Sequence, residues 1–155
     1  MNKRLLVFLA FILLQPAIIY KNGYSLNADN KTGQAVFEDI YRKSTEKEGV
    51  KEITYDQFMQ IRNSGEKYIL LDARSQESYD AGHIDTALSF SEKTINEENA
   101  KKELTKNSSI IVYCAGFECR ASTLAAKKLS SLGYKAVDYK GGIKEWQEKG
   151  NKAIK

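Results

Sequence analysis

Two thiols and a guanidinium stand close together in the run Ser109-Ile-Ile-Val-Tyr-Cys-Ala-Gly-Phe-Glu-Cys-Arg-Ala-Ser122. Ile110 to Val112 reads as a buried strand. Ala121, Leu124, Ala125, Lys128 and Leu129 have the spacing of a helix with one apolar face. A thiol between such a strand and a helix N-terminus meets unpaired backbone N–H groups and the positive end of the helix dipole. Both favour a thiolate over a thiol, and both favour an anion beside it. Cys114 is therefore the candidate nucleophile, and the loop Ala115, Gly116, Phe117, Glu118, Cys119 and Arg120 is the candidate anion cradle. The competing reading is structural, because cysteine is among the most buried residue types and an apolar strand ending in Cys is often only core.

Asp72 and Arg74 follow a second apolar strand, Tyr68 to Leu71. As a pair they satisfy each other and fix the strand end, a supporting role rather than a catalytic one. His83, the one histidine, sits in a turn after Gly82, where bonding to backbone is the expected use. Cys119 has two options: to point into the domain as a small apolar residue, or to turn toward Cys114 as a resolving thiol. A loop that aims its N–H groups inward tends to send side chains outward, which favours the first. A bridge needs Cα atoms within about 7 Å and facing Cβ vectors.

The elements that must hold these residues alternate. A polar-ended helix over 33–48 leads in and packs on the domain edge. A short strand near Ile53 precedes a helix Tyr55 to Arg62, whose Thr54 and Gln57 fit a capping box. Ser75 starts a short helix through Tyr79, Ala87-Leu88 opens another strand, and Ser91 to Lys106 is polar enough to be a solvated helix. After the helix Arg120 to Leu132, Gly133 is a stop signal. Ala136 to Tyr139 is a last strand, and Ile143 to Lys149 a closing helix with Trp146. Strands alternating with helices predict an α/β fold: one domain with a parallel sheet and helices on both faces. In such sheets ligands bind beyond the carboxyl ends of the strands, where Asp72 and Cys114 fall.

Residues 1–28 differ from the rest. Asn2-Lys3-Arg4 is basic, Leu5 to Leu14 is uninterrupted apolar, Gln15-Pro16 breaks the run, and Ser25 to Ala28 includes small residues. This is the layout of a secretory signal peptide, and it falls short of the about 20 apolar residues a spanning helix needs. The expectation is an exported, periplasmic protein with no stable membrane association after cleavage, an uncleaved anchor being the alternative. The domains are then 1–28 signal, 29–50 lead-in and 51–152 main domain. The chain has 24 basic and 20 acidic residues, a formal net charge of +4. Residues 1–28 hold Lys3, Arg4 and Lys21 and no acid, so the remainder has 21 against 20 and no nucleic-acid surface is expected. Two cysteines are too few for a disulfide framework, and no His or acidic cluster joins them to make a metal site.

Three motifs in order resemble a single-domain rhodanese, a sulfurtransferase module, over about Ile53 to Gly150. They are Leu70-Leu-Asp-Ala-Arg74 with Tyr79 and Gly82-His-Ile84, then Ile111-Val-Tyr-Cys114, then Leu132-Gly-Tyr134 with Gly141-Gly142 and Trp146. The resemblance implies a rhodanese-like fold and sulfur transfer through a persulfide on Cys114. The implied partners are a small sulfur-containing anion as donor and a thiol or cyanide as acceptor, with no cofactor. Two positions depart from the family pattern. Asp85-Thr86 stands where Pro-Gly is usual, and the loop reads Cys-x4-Cys-Arg, with Cys119 where Arg is more usual. Cys-x5-Arg is also the spacing of the phosphatase and arsenate-reductase relatives on the same fold. Against a phosphatase or arsenate reductase, Tyr113 replaces the His that commonly precedes their Cys, and Glu118 would face a bound dianion. A Cys114/Cys119 dithiol redox protein and a non-catalytic binding module also fit these residues.

Overall fold

The computed structural model describes residues 35–155. The expected signal peptide at 1–28 lies outside the described residues. Helix α1 (Ala35–Lys43) buries Phe37 and Ile40. It stops before Glu48, short of the expected length, because Ser44 closes it: both its N–H and its hydroxyl donate to the Ile40 carbonyl, at 2.8 and 2.6 Å. The polar remainder has nothing to bury and pairs instead as β1 (Thr45–Lys47), exposed throughout, antiparallel to β2 (Val50–Ile53). Glu48 and Gly49, with φ of 53° and 79°, make the turn between them. Helix α2 (Tyr55–Asn63) begins with the expected capping box. Gln57 N–H donates to Thr54 Oγ1 at 3.2 Å, and Thr54 N–H donates to Gln57 Oε1 at 2.9 Å.

Then follow β3 (Tyr68–Asp72), α3 (Gln76–Ala81) and β4 (Leu88–Ser89). The polar stretch after β4 is not one helix. A 3-10 turn at Glu92–Thr94 precedes α4 (Glu97–Glu103), which Asn96 caps through its side chain, and Ile95, Ala100 and Leu104 are buried. The sparse apolar residues of this segment are thus its anchor to the core. The chain finishes with β5 (Ser109–Tyr113), α5 (Ala121–Ser131), β6 (Lys135–Tyr139) and α6 (Gly142–Glu148).

The six strands lie in the order β1-β2-β6-β5-β3-β4, and every pair except β1–β2 is parallel. The sheet is therefore mixed at one edge rather than wholly parallel. Central β5 is buried at every position. Ile111 and Tyr113 pack with Phe37, Phe58, Ile61 and Trp146 on one face; Ile110 and Val112 pack with Ala125, Ala126 and Leu129 on the other. Burial on both faces is why β5 reads as an unbroken apolar run instead of an alternating one. Each fully buried aliphatic side chain contributes about 1.5–3 kcal/mol, so the strand that ends at Cys114 is among the most firmly held. Among the described residues no helix is long and apolar enough to cross a membrane.

Candidate active site

Cys114 follows β5 directly and is fully buried. Its sulfur accepts a hydrogen bond from the Ser122 hydroxyl at 3.2 Å, and the Ser122 N–H, in the first turn of α5, is directed at it as well. The strand end and the helix N-terminus therefore meet at this sulfur, as the sequence pattern requires. The loop between them folds back on itself: Cys119 N–H donates to the Gly116 carbonyl at 2.9 Å, and the Cys119 carbonyl oxygen lies 3.4 Å from Cys114 Sγ.

The loop rests on the start of α6. Ile143 N–H donates to the Cys114 carbonyl and Lys144 N–H to the Ala115 carbonyl, each at 3.0 Å. Gly142, with φ of 61°, makes this contact possible, since a Cβ there would stand 2.3 Å from the Cys114 carbonyl oxygen and 2.8 Å from Gly116 N. With these loop carbonyls taken up by α6, the N–H groups of Gly116, Phe117, Glu118 and Arg120 donate to no acceptor among the described residues. Phe117 and Glu118 are exposed at the rim. They line a groove of about 720 Å³ together with Ile53, Thr54, Gln57 and Lys140.

The thiols differ in environment. Burial pushes the Cys114 thiol up, the neighbouring Cys119 thiol adds to that, and the hydroxyl and N–H of Ser122 oppose it. Burial also acts to raise Cys119, but it is outweighed by the Cys114 thiol, the N–H groups of Ala115 and Ala121, and the Lys140 ammonium. The net direction for Cys119 is down. Cys119 is half-buried rather than fully buried, and its thiol interacts with that of Cys114. The physical reason is the Gly116–Cys119 turn, which brings the chain back over Cys114.

Arg120 does not enter the loop. Its side chain is 66% exposed and pairs with Glu48 Oε2 at 2.6 Å. The partner lies in the β1–β2 turn, 72 residues away, which no local pattern reveals. The cation that does reach the loop is Lys140, at the end of β6: its Nζ donates to the Cys119 carbonyl at 2.7 Å and to Thr123 Oγ1 at 3.0 Å. Thr123 in turn donates to the buried Asp138 at 2.7 Å. Burial raises the Asp138 carboxyl, opposed by Thr123, Ser122 and Lys140. Ser122, Thr123, Asp138 and Lys140 were not expected at the site. Ser122, just inside the helix start, is the one whose position offered a signal.

Asp72 and Arg74 are a clamp. Arg74 Nε and Nη2 reach the Asp72 carboxylate at 2.9 and 2.6 Å, Arg74 Nη2 also donates to the Gly82 carbonyl at 2.7 Å, and the Tyr113 hydroxyl donates to Asp72 Oδ2 at 2.7 Å. The Tyr113 hydroxyl oxygen in turn accepts from Ile84 N–H at 3.0 Å. The ends of β3 and β5 and the Gly82–Ile84 turn are thus tied together one residue before Cys114. His83 stacks on Tyr79 with ring centroids 3.8 Å apart and pairs through its backbone with Ile154, a structural post.

The model of the rhodanese-like domain matches residues 54–149. Thiosulfate sulfurtransferase PspE of Escherichia coli K12 is 36% identical over 76 residues, covering 48% of this chain and 70% of that protein. A tRNA uridine(34) hydroxylase of Wigglesworthia glossinidia brevipalpis is 32% identical over 120 residues, 63% of this chain. The chain spans only 35% of that hydroxylase's length. Among solved structures, a Bacillus halodurans protein is similar with a TM-score of 0.60 and 35% identity, over 66% of this chain and 75% of that one. With the family model matching well over half of the chain, over the strands, loop and helices that enclose Cys114, the chain belongs to the rhodanese-like domain family.

Proposed function

We propose that the protein is a sulfurtransferase that moves sulfane sulfur through Cys114. The observation that supports it most is the setting of the Cys114 sulfur, with the hydroxyl and N–H of Ser122 both aimed at it, in a loop whose other N–H groups donate to no acceptor among the described residues. These donors favour a thiolate and then a persulfide anion at one place. Cys114 thiolate attacks the outer sulfur of thiosulfate; the sulfur–sulfur bond of the donor breaks and sulfite leaves with the electron pair. A thiol or cyanide then attacks the outer sulfur of the Cys114 persulfide and restores the thiolate. The name of the E. coli relative, a thiosulfate sulfurtransferase, supports the same donor.

A phosphatase or arsenate reductase needs a cation clamped on a tetrahedral oxyanion. Arg120 is instead engaged by Glu48 outside the loop, which speaks against both. The test is to mix reduced protein with thiosulfate and measure sulfite. One equivalent per protein is expected from the unmodified chain and none from Cys114→Ser, with negligible hydrolysis of an aryl phosphate by either. No sulfite from the unmodified chain, or Cys114-dependent phosphate release exceeding it, overturns the reading.

A further inference from the structure

We propose that Cys119 resolves the Cys114 persulfide, so that the protein releases hydrosulfide and closes a Cys114–Cys119 disulfide. The inference rests on the sulfur-transfer reading above and adds a second activity, thiosulfate reduction, to the same loop. The Gly116–Cys119 turn returns the chain to Cys114, placing the Cys119 carbonyl 3.4 Å from Cys114 Sγ and bringing the two thiols into interaction. Cys119 is half-buried while Cys114 is fully buried, so the thiol on the outer side of the pair is the one nearer to solvent. Lys140 Nζ, 2.7 Å from the Cys119 carbonyl, brings a positive charge to the loop and favours the thiolate of Cys119.

The chemistry balances without an oxidant. Cys119 thiolate attacks Cys114 Sγ of the persulfide; the Sγ114–Sγ119 bond forms, the bond to the outer sulfur breaks, and hydrosulfide leaves with the electron pair. The sulfane sulfur is reduced to sulfide as the two cysteine sulfurs are oxidised to a disulfide. An external dithiol reductant, such as a thioredoxin-type protein, resets the pair. Attack on the inner rather than the outer sulfur follows from the leaving group. Exchange is faster when the departing thiol is the more acidic, and burial makes Cys114 a poor one beside hydrosulfide.

Full-length, reduced protein is treated with thiosulfate under anaerobic conditions with no acceptor, then assayed for sulfite, sulfide and intact mass. The unmodified chain is expected to release one equivalent each of sulfite and sulfide and to end two hydrogens lighter, with a Cys114–Cys119 bridge on peptide mapping. Protein kept without thiosulfate retains both thiols. Cys119→Ser and Cys119→Ala are expected to release sulfite, no sulfide, and to hold one added sulfur. An unmodified chain that releases sulfite yet keeps the added sulfur with Cys119 free overturns this inference and leaves the sulfurtransferase reading intact. Absence of sulfite overturns both.

Discussion

At the scale of single residues, the question is how a fully buried thiol becomes a nucleophile. Burial, with the Cys119 thiol adding to it, holds Cys114 above the ordinary thiol range, and the opposition comes from one residue, Ser122. Its hydroxyl reaches the sulfur at 3.2 Å and its N–H belongs to the helix start. A hydrogen bond to a charged group contributes about 1.5–3 kcal/mol, so Ser122→Ala is expected to slow sulfite release by roughly 10- to 100-fold at neutral pH. Because the hydroxyl favours the thiolate, its loss raises Cys114 further, and the pH–rate profile moves to higher pH. Stopped-flow sulfite detection across pH checks this; a slower variant with an unshifted profile assigns Ser122 to packing alone. Gly142 makes a different contribution, since its missing Cβ is what lets α6 bond the carbonyls of Cys114 and Ala115.

At the scale of elements, the clamp at Asp72 decides whether β5 ends where Cys114 needs it to. The Asp72 side chain is fully buried and holds Arg74 and Tyr113 together, and Arg74 continues to the Gly82 carbonyl. Removing one partner of a buried pair leaves the other charge uncompensated and costs about 3–5 kcal/mol. Asp72→Ala is therefore expected to lower the urea midpoint by that equivalent, with Cys114 chemistry lost only in step with folded protein. A variant as stable as the parent in urea unfolding contradicts the clamp. The element scale also shows what a sequence reveals. The capping box at Thr54, the strand ends at Asp72 and Cys114 and the helix stop at Gly133 depend on neighbours a few residues apart, and all were legible. Strand β1 was not, because Thr45–Lys47 is three polar, exposed residues that pair without burying anything. The directions of Arg120 and Lys140 were hidden for a related reason. Glu48, 72 residues from Arg120, and the Cys119 carbonyl, 21 from Lys140, become neighbours only once the sheet has formed.

At the scale of the whole molecule, the same burial that tunes the site sets how the fold responds to alkali. Cys114, Tyr113 and Tyr139 all lie in the core, and burial is the first cause of the upward displacement of each. For Tyr113 the Asp72 carboxylate adds to burial; for Tyr139 the Glu145 carboxylate does. Each of these groups is neutral when protonated, so the folded chain holds these protons more tightly than the unfolded chain. Stability is then fully present below the unfolded values, about 8.5 for a thiol and about 10 for a phenol, and is lost as pH rises above them. The expected result is a urea midpoint that falls progressively from about pH 8.5 upward, first through the thiol and more steeply once the phenols of the unfolded chain ionise. Tyr113→Phe removes one of these protons together with the hydroxyl bonds to Asp72 and Ile84. It is therefore expected to lower stability at pH 7, by about 1–3 kcal/mol, yet to flatten the alkaline decline. Urea unfolding of both chains at closely spaced pH values measures the two effects separately. Parallel curves above pH 10 would mean that the Tyr113 proton is held no more tightly in the fold than out of it, and that the hydroxyl linking β5 to Asp72 is open to water.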